Sequence, residues 1–319
     1  MLRSFLIRTS KALWLRQIVT GWFVTRKMAA RFVAGESLGD AIQVIKFLNS
    51  MGINATVDHL GERINSPQAS RKATQEILAV LDALREWELR ANVSVKLTQI
   101  GLLVDVELCA ENLRTILTYG RECGNFVRID MEDSAVTQMT LDLFYQMRAE
   151  DFTNVGIVIQ SYLYRSEKDI SRLAEAALPV RLCKGAYKEP HELAYPRKRD
   201  VDAAYDRQAG ILLQAAGATR VPGISADGKF PPLAALATHD EKRIQFALDY
   251  STAASIPKSN LEFQMLHGIR RDLQEKLAQK GYPVRVYVPY GTEWYPYFMR
   301  RLAERPANLW FFLQNYFRK

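Results

Sequence analysis

Val286-Tyr287-Val288-Pro289-Tyr290-Gly291 reads as a buried strand closed by a Pro/Gly turn. Shortly after it comes Tyr297-Phe298-Met299-Arg300-Arg301-Leu302-Ala303-Glu304, a short helical stretch carrying two adjacent guanidinium groups. An α/β protein places its ligand where a strand end hands over to a helix, and Arg grips a carboxylate through parallel hydrogen bonds. The pair is therefore a candidate receptor for a small carboxylate. The alternative is a solvated helix face on which both arginines are answered by Glu304. Upstream of this stretch, back to Gly52, short apolar runs alternate with long amphipathic ones. Candidate strands fall near 55–60, 93–97, 126–131, 156–161, 180–183, 233–238, 261–265 and 284–288, with helical patterns such as 73–89, 110–119, 168–177, 203–216 and 242–250 between them. Eight such units predict an α/β fold, a (β/α)8 TIM-like barrel over residues 53–319, with residues 1–52 as N-terminal extra helices packed outside it. A doubly wound parallel sheet is the alternative.

The rest of the composition narrows the class. A chain of 319 residues with 48% apolar content and no Pro/Gly/Ser-rich linker has enough core for one enzyme-sized domain. The formal charge of +8 is spread among acids, and no helix-turn-helix, finger or RNA-binding signature occurs, so nucleic acid is not an expected partner. Cys109, Cys123 and Cys183 are widely spaced, which indicates neither a disulfide framework nor a metal site and fits a reducing cytoplasm. Residues 1–28 carry six Arg or Lys and no acid, interleaved with Phe5, Trp14, Trp22 and Phe23. Charge interrupts this segment too often for it to span a bilayer. It reads as a helix docked on the enzyme, with a membrane-surface helix or an organelle-targeting peptide as alternatives.

A barrel of this type builds its active site at the C-terminal ends of its strands, and here those ends are polar. In strand order they offer Asp58 and Glu62, Lys96, Asp130 and Glu132, Gln160, Arg181 and Lys184, Thr238-His239-Asp240, Gln264, and Tyr287. Packing explains one such residue readily; it does not explain polar groups at all eight ends.

At these residues the chain resembles the FAD-dependent proline dehydrogenases, in particular the short, single-function bacterial type. The resemblance runs through Val95-Lys96-Leu97, Ile129-Asp130-Met131-Glu132, Val158-Ile159-Gln160-Ser161-Tyr162, Arg181-Leu182-Cys183-Lys184-Gly185-Ala186-Tyr187 and Ala237-Thr238-His239-Asp240. It continues through residues 262–268 and 285–291 to Arg300-Arg301 and Glu304. Cys183 is a small apolar departure that touches packing only. The resemblance implies oxidation of L-proline to Δ1-pyrroline-5-carboxylate by hydride transfer from C5 to flavin N5, with electrons passed to a membrane quinone. It implies that Lys96, Arg300 and Arg301 hold the substrate carboxylate and that Asp130 serves the amine. Tyr287 would wall the ring, and Glu62 would pair with Arg300 as a gate. For FAD it implies Arg181 beside N5, Gln160 and Lys184 on the polar edge of the isoalloxazine, Thr238 and His239 toward the ribityl and phosphate portion, and contributions from Met131, Gly185, Ala186 and Glu304. No Gly-x-Gly-x-x-Gly fingerprint occurs, so the barrel mouth must hold the FAD. The chain has neither an aldehyde-dehydrogenase region nor a DNA-binding domain, so its product is expected to pass to a separate pyrroline-5-carboxylate dehydrogenase. Hydroxyproline or a related imino acid is the alternative substrate. Outside the resemblance, a Schiff-base aldolase using Lys96 or Lys184 and a non-enzymatic amino-acid binder remain open readings.

Overall fold

The computed structural model describes residues 31–61, 64–218 and 221–304. Eight strands, β1 (Asn54–His59), β2 (Ala91–Val95), β3 (Val127–Ile129), β4 (Val155–Gln160), β5 (Val180–Cys183), β6 (Ala234–Ala237), β7 (Leu261–Leu266) and β8 (Val284–Tyr290), pair in chain order, each parallel to its neighbours. β8 returns to β1, with Tyr287 opposite Thr56, and the sheet closes. Closure rules out the doubly wound sheet. Parallel neighbours need a crossover. The helices after β1 to β7 supply it: α2 (Pro67–Glu86), α3 (Val106–Glu122), α4 (Ser134–Ala149), α5 (Ser166–Glu175), α6 (Lys198–Ala216), α7 (Glu241–Ala253) and α8 (Arg271–Gln279).

The two faces of each strand differ. Val57, Val93, Val95, Ile129, Ile157, Ile159, Val284, Val286 and Val288 join the apolar layer beneath the helices. The intervening residues point into the barrel, because they touch partners on strands that are not their neighbours; Arg181 on β5 bonds Ser94 on β2 and Thr56 on β1. The interior is polar on most strands, with Val158 of β4 and Ala235 of β6 as small apolar exceptions beside Arg181 in the register. Toward its N-terminal end the fully buried Arg285 pairs with the fully buried Glu262 at 2.9 Å and donates to the carbonyls of Ala55 and Gly228. Asn92 donates to the carbonyl of Lys229, and the ring of Phe230 meets Phe126 edge-on at 5.8 Å. The loop before β6 thus plugs the bottom of the barrel. Gly228 sits in it at φ +69°, where a Cβ would lie 2.3 Å from the Asn54 side chain.

At the other end the usual placing of helices changes. A helix α1 (Leu38–Ser50), started by a capping box between Ser37 and Asp40, packs outside against β8 and β1. It fills the side position where the helix following β8 would lie. That last helix, α9 (Trp294–Glu304), instead buries Trp294, Tyr295, Tyr297, Phe298 and Met299 with Phe32, Val33 and Leu60 in a separate cluster that also borders Tyr287. Backbone bonds from Ala34 to Pro289, from Gly291 to Gly35 and from Leu60 to Tyr290 seam the same region together. α9 is therefore held at the C-terminal mouth. Residues 1–28, expected as a docked helix, lie outside the described residues. No helix among the described residues is long and apolar enough to cross a membrane.

His267, just past β7, is buried, and burial with the nearby Arg271 charge pulls its pKa down to about 4. The folded protein keeps it neutral, whereas an unfolded chain protonates it near 6.5. Its contribution to stability is complete above pH 6.5 and falls as the pH drops toward 4, by about 3 kcal/mol in all. His267→Gln is expected to flatten that acid limb in denaturant titrations taken through this window. An acid limb unchanged in the variant would place the titration on another group.

Candidate active site

Inside the mouth five side chains interlock. Lys96, the residue after β2, puts its Nζ 2.7 Å from Asp58 Oδ2, 3.3 Å from the Tyr287 hydroxyl and 3.7 Å from Asp130 Oδ2. Asp130, one residue past β3, accepts from Ser94 Oγ and Arg181 Nη1, both at 2.9 Å, and from the Tyr287 hydroxyl at 2.7 Å. Arg181 reaches across the barrel from the second position of β5. Its guanidinium also donates to Gln264, to Ser94 at 3.0 Å and to Thr56 at 3.3 Å, and it lies 5.4 Å from the centre of the Tyr287 ring. Two cations and two carboxylates balance in a pocket where Asp58 is fully buried and both Lys96 and Arg181 are 6% exposed. Burial, reinforced by the charges of Asp130 and Asp58, drives the Tyr287 hydroxyl well above its usual pKa. It stays a donor at every physiological pH.

A second group lines the half of the mouth formed by β4 to β6. Gln160 donates to the carbonyl of Glu132 at 2.7 Å, and the Glu132 carboxylate accepts from Thr98. Lys184 is anchored on two carboxylates, Asp202 and Asp240, the latter at 2.7 Å. Burial pushes the Asp240 carboxyl up, but the hydrogen bond and charge of Lys184 outweigh it and hold the group at about 2. The Thr238 hydroxyl accepts from the amide of Asp240, and His239 Nε2 accepts from the amide of Leu266 at 2.9 Å. Gly185 follows at φ +112°, where a Cβ would lie 2.3 Å from the Tyr162 ring. Contact with Tyr162 therefore accounts for a glycine at this position on its own. Ala186 follows it in the same half-buried loop, and Met131 is buried beside Asp130.

The remaining expected residues divide. Arg300 and Arg301 are half-buried on α9, with the Arg301 guanidinium 5.2 Å from the centre of the Tyr297 ring. The side chains of Glu62 and Glu304 lie outside the described residues. Arg181 and Tyr287, expected at strand ends, sit within their strands, because the strands are staggered and their middles rise to the level of neighbouring ends. Sequence reasoning misses Thr56 and Ser94. Neither belongs to a motif, and the signal that finds them is the alternation Asn54-Thr56-Asp58 and Asn92-Ser94-Lys96 in strands whose other face is apolar.

The family profile described as Proline dehydrogenase matches residues 41–314. Proline dehydrogenase 2 of Bacillus subtilis is 40% identical over 309 residues, covering 97% of this chain and 96% of that protein. The proline dehydrogenase of Deinococcus radiodurans is 41% identical over 292 residues, covering 90% and 89%. Among solved structures, proline utilization A from Bdellovibrio bacteriovorus, inactivated by N-propargylglycine, superposes with a TM-score of 0.78 at 29% identity, over 88% of this chain and 33% of that longer one. A barrel with a cationic and carboxylate knot at its mouth and matches of this length lead to one assignment: the chain belongs to the proline dehydrogenase family, flavin-dependent enzymes that oxidise proline to pyrroline-5-carboxylate.

Proposed function

We propose that this proline dehydrogenase holds FAD against the β4 to β6 half of its barrel mouth, binds L-proline between that half and α9, and passes its electrons to a membrane quinone. The observation that carries the reading is Arg181, which bridges the two halves by joining β5 to Asp130, Ser94, Thr56 and Gln264. The donor set suits the cofactor: the Arg181 guanidinium, Gln160 amide, Lys184 ammonium and Thr238 hydroxyl are the kinds of group that hold an electron-rich ring edge, and protein partners already fix the position of each. FAD, when bound, supplies the hydride acceptor. The protein's part is positioning and charge. Lys96, Arg300 and Arg301 neutralise the carboxylate of the zwitterion, Asp130 takes the proton that the ring nitrogen must lose, and Tyr287 holds Asp130 in place while walling the ring. Glu62 serves as the gate toward Arg300, and Met131, Gly185, Ala186, His239 and Glu304 complete the cofactor side. The product leaves for a separate pyrroline-5-carboxylate dehydrogenase, and the enzyme works at the cytoplasmic membrane surface.

Both lysines that a Schiff-base aldolase would use are ion-paired, Lys96 to Asp58 and Lys184 to Asp202 and Asp240. An ammonium so held has no lone pair for attack. Colour separates the readings: a flavoprotein is yellow as purified and bleaches anaerobically with proline. A colourless protein trapped by borohydride would turn the assignment toward the aldolase, and a colourless protein that merely binds proline would turn it toward a receptor.

Arg301→Met, and separately Arg300→Met, are expected to raise the KM for proline by roughly thirtyfold, the loss of about 2 kcal/mol from one charged contact to a carboxylate, at normal flavin content. Loss of FAD with unchanged proline affinity would move these residues to the cofactor.

A further inference from the structure

We propose that Asp58 is the positioning residue of the carboxylate subsite: its ion pair with Lys96 fixes where that ammonium stands and keeps it off Asp130. The inference rests on the reading that Lys96 holds the substrate carboxylate. Asp58 is the last inward residue of β1, wedged between Ser94 of β2 and Pro289 of β8 in the strand register, and it is fully buried. Lys96 stands just beyond the last residue of β2, on a flexible four-carbon stem. Among the described residues its nearest carboxylate is Asp58 at 2.7 Å, followed by Asp130 at 3.7 Å. An ammonium has three tetrahedral donors, so a bond to Asp58 and one to the Tyr287 hydroxyl determine the direction of the third.

Two features say that Asp58 is present for its charge. Among the described residues its Oδ1 is buried without a hydrogen-bond partner, an arrangement that packing alone disfavours. Asp130, by contrast, is already committed to Arg181, Ser94 and Tyr287. With Asp58 neutralised, the pocket carries one surplus positive charge and Lys96 turns to the remaining carboxylate. That motion withdraws the ammonium from the substrate carboxylate and occupies the acceptor that the ring nitrogen needs.

The test uses holoenzyme and isothermal titration with two half-substrates: cyclopentanecarboxylate, which has the acid without the amine, and pyrrolidine, which has the amine without the acid. Asp58→Asn is expected to weaken cyclopentanecarboxylate about tenfold or more and pyrrolidine several times less. The double variant Asp58→Asn/Lys96→Met is expected to bind cyclopentanecarboxylate no more weakly than Lys96→Met alone, since Asp58 acts through Lys96. Equal losses for both ligands, or losses that multiply in the double variant, would overturn the inference. Should Asp58→Asn alone fail to fold, the double variant, which leaves no ammonium unpaired, decides on the same criterion. Wild-type affinity for cyclopentanecarboxylate in Lys96→Met would defeat the underlying role of Lys96, and that result is read before any Asp58 variant is made.

Discussion

Asp130→Ala is expected to slow anaerobic reduction of the flavin by proline by roughly 10²–10⁴-fold, the range for loss of a positioned acid–base group. The carboxylate accepts from Arg181, Ser94 and Tyr287 and lies 3.7 Å from the Lys96 ammonium. Its removal therefore takes away the proposed proton acceptor and also releases the donors that it aligns. Tyr287 keeps its proton under any of these conditions, so it does not substitute as a base. Stopped-flow absorbance of the flavin band gives the rate without interference from the later electron acceptor. The decrease should persist at saturating proline, which separates lost chemistry from lost binding. Reduction at the wild-type rate across the pH range would remove Asp130 from proton transfer.

The largest expected change in stability comes from breaking the pair between Glu262 and Arg285. Both side chains are essentially unexposed, and Arg285→Met leaves the Glu262 carboxylate buried with Gln264 as its remaining donor among the described residues. An uncompensated charge in such a place costs about 3–5 kcal/mol, a large share of the roughly 5–15 kcal/mol that keeps a domain folded. The variant should therefore collect in the insoluble fraction or unfold at much lower denaturant. Glu262→Leu/Arg285→Met, which removes both charges together, should recover part of the loss. Recovery is incomplete because the carbonyls of Ala55 and Gly228 lose their donor. An unfolding free energy within about 1 kcal/mol of wild type for Arg285→Met would show that water or a rearranged donor reaches Glu262.

The strands were legible because a buried parallel strand must be an apolar run of limited length, and each expected strand begins and ends within two residues of the observed one. Helix starts were less so. The pattern of apolar residues places one helix at 73, but the chain turns helical at Pro67, where Ser66 accepts from the amide of Ala69 and Pro supplies a ready-made first turn. In the same way Asp105 caps the helix expected from 110. The side chains at the mouth could be named from strand ends and family likeness, but not their pairing. Nothing in the order of residues says that Arg181 spans the barrel to Thr56, or that Lys96 rests on Asp58. Those contacts depend on the stagger between strands, a property of the closed sheet as a whole.

Trp294 donates to Glu36 across 258 residues of chain, and α9 packs on Phe32 and Val33 in the same cluster. Contacts this distant in sequence form late, because the intervening chain must first be gathered in, and in a parallel barrel that means after β8 has found β1. During synthesis each strand and helix can pair with the one just made, but the helix that carries Arg300 and Arg301 has no docking surface until the ring is shut. The site proposed for the substrate carboxylate is thus assembled at the last stage of folding. By the same order in reverse, α9 is expected to be the first element to detach when the barrel loosens, at a free energy below that of global unfolding. Proline affinity should then fail on warming before the fold does, and amide exchange in residues 294–301 should outpace exchange in the strands beneath.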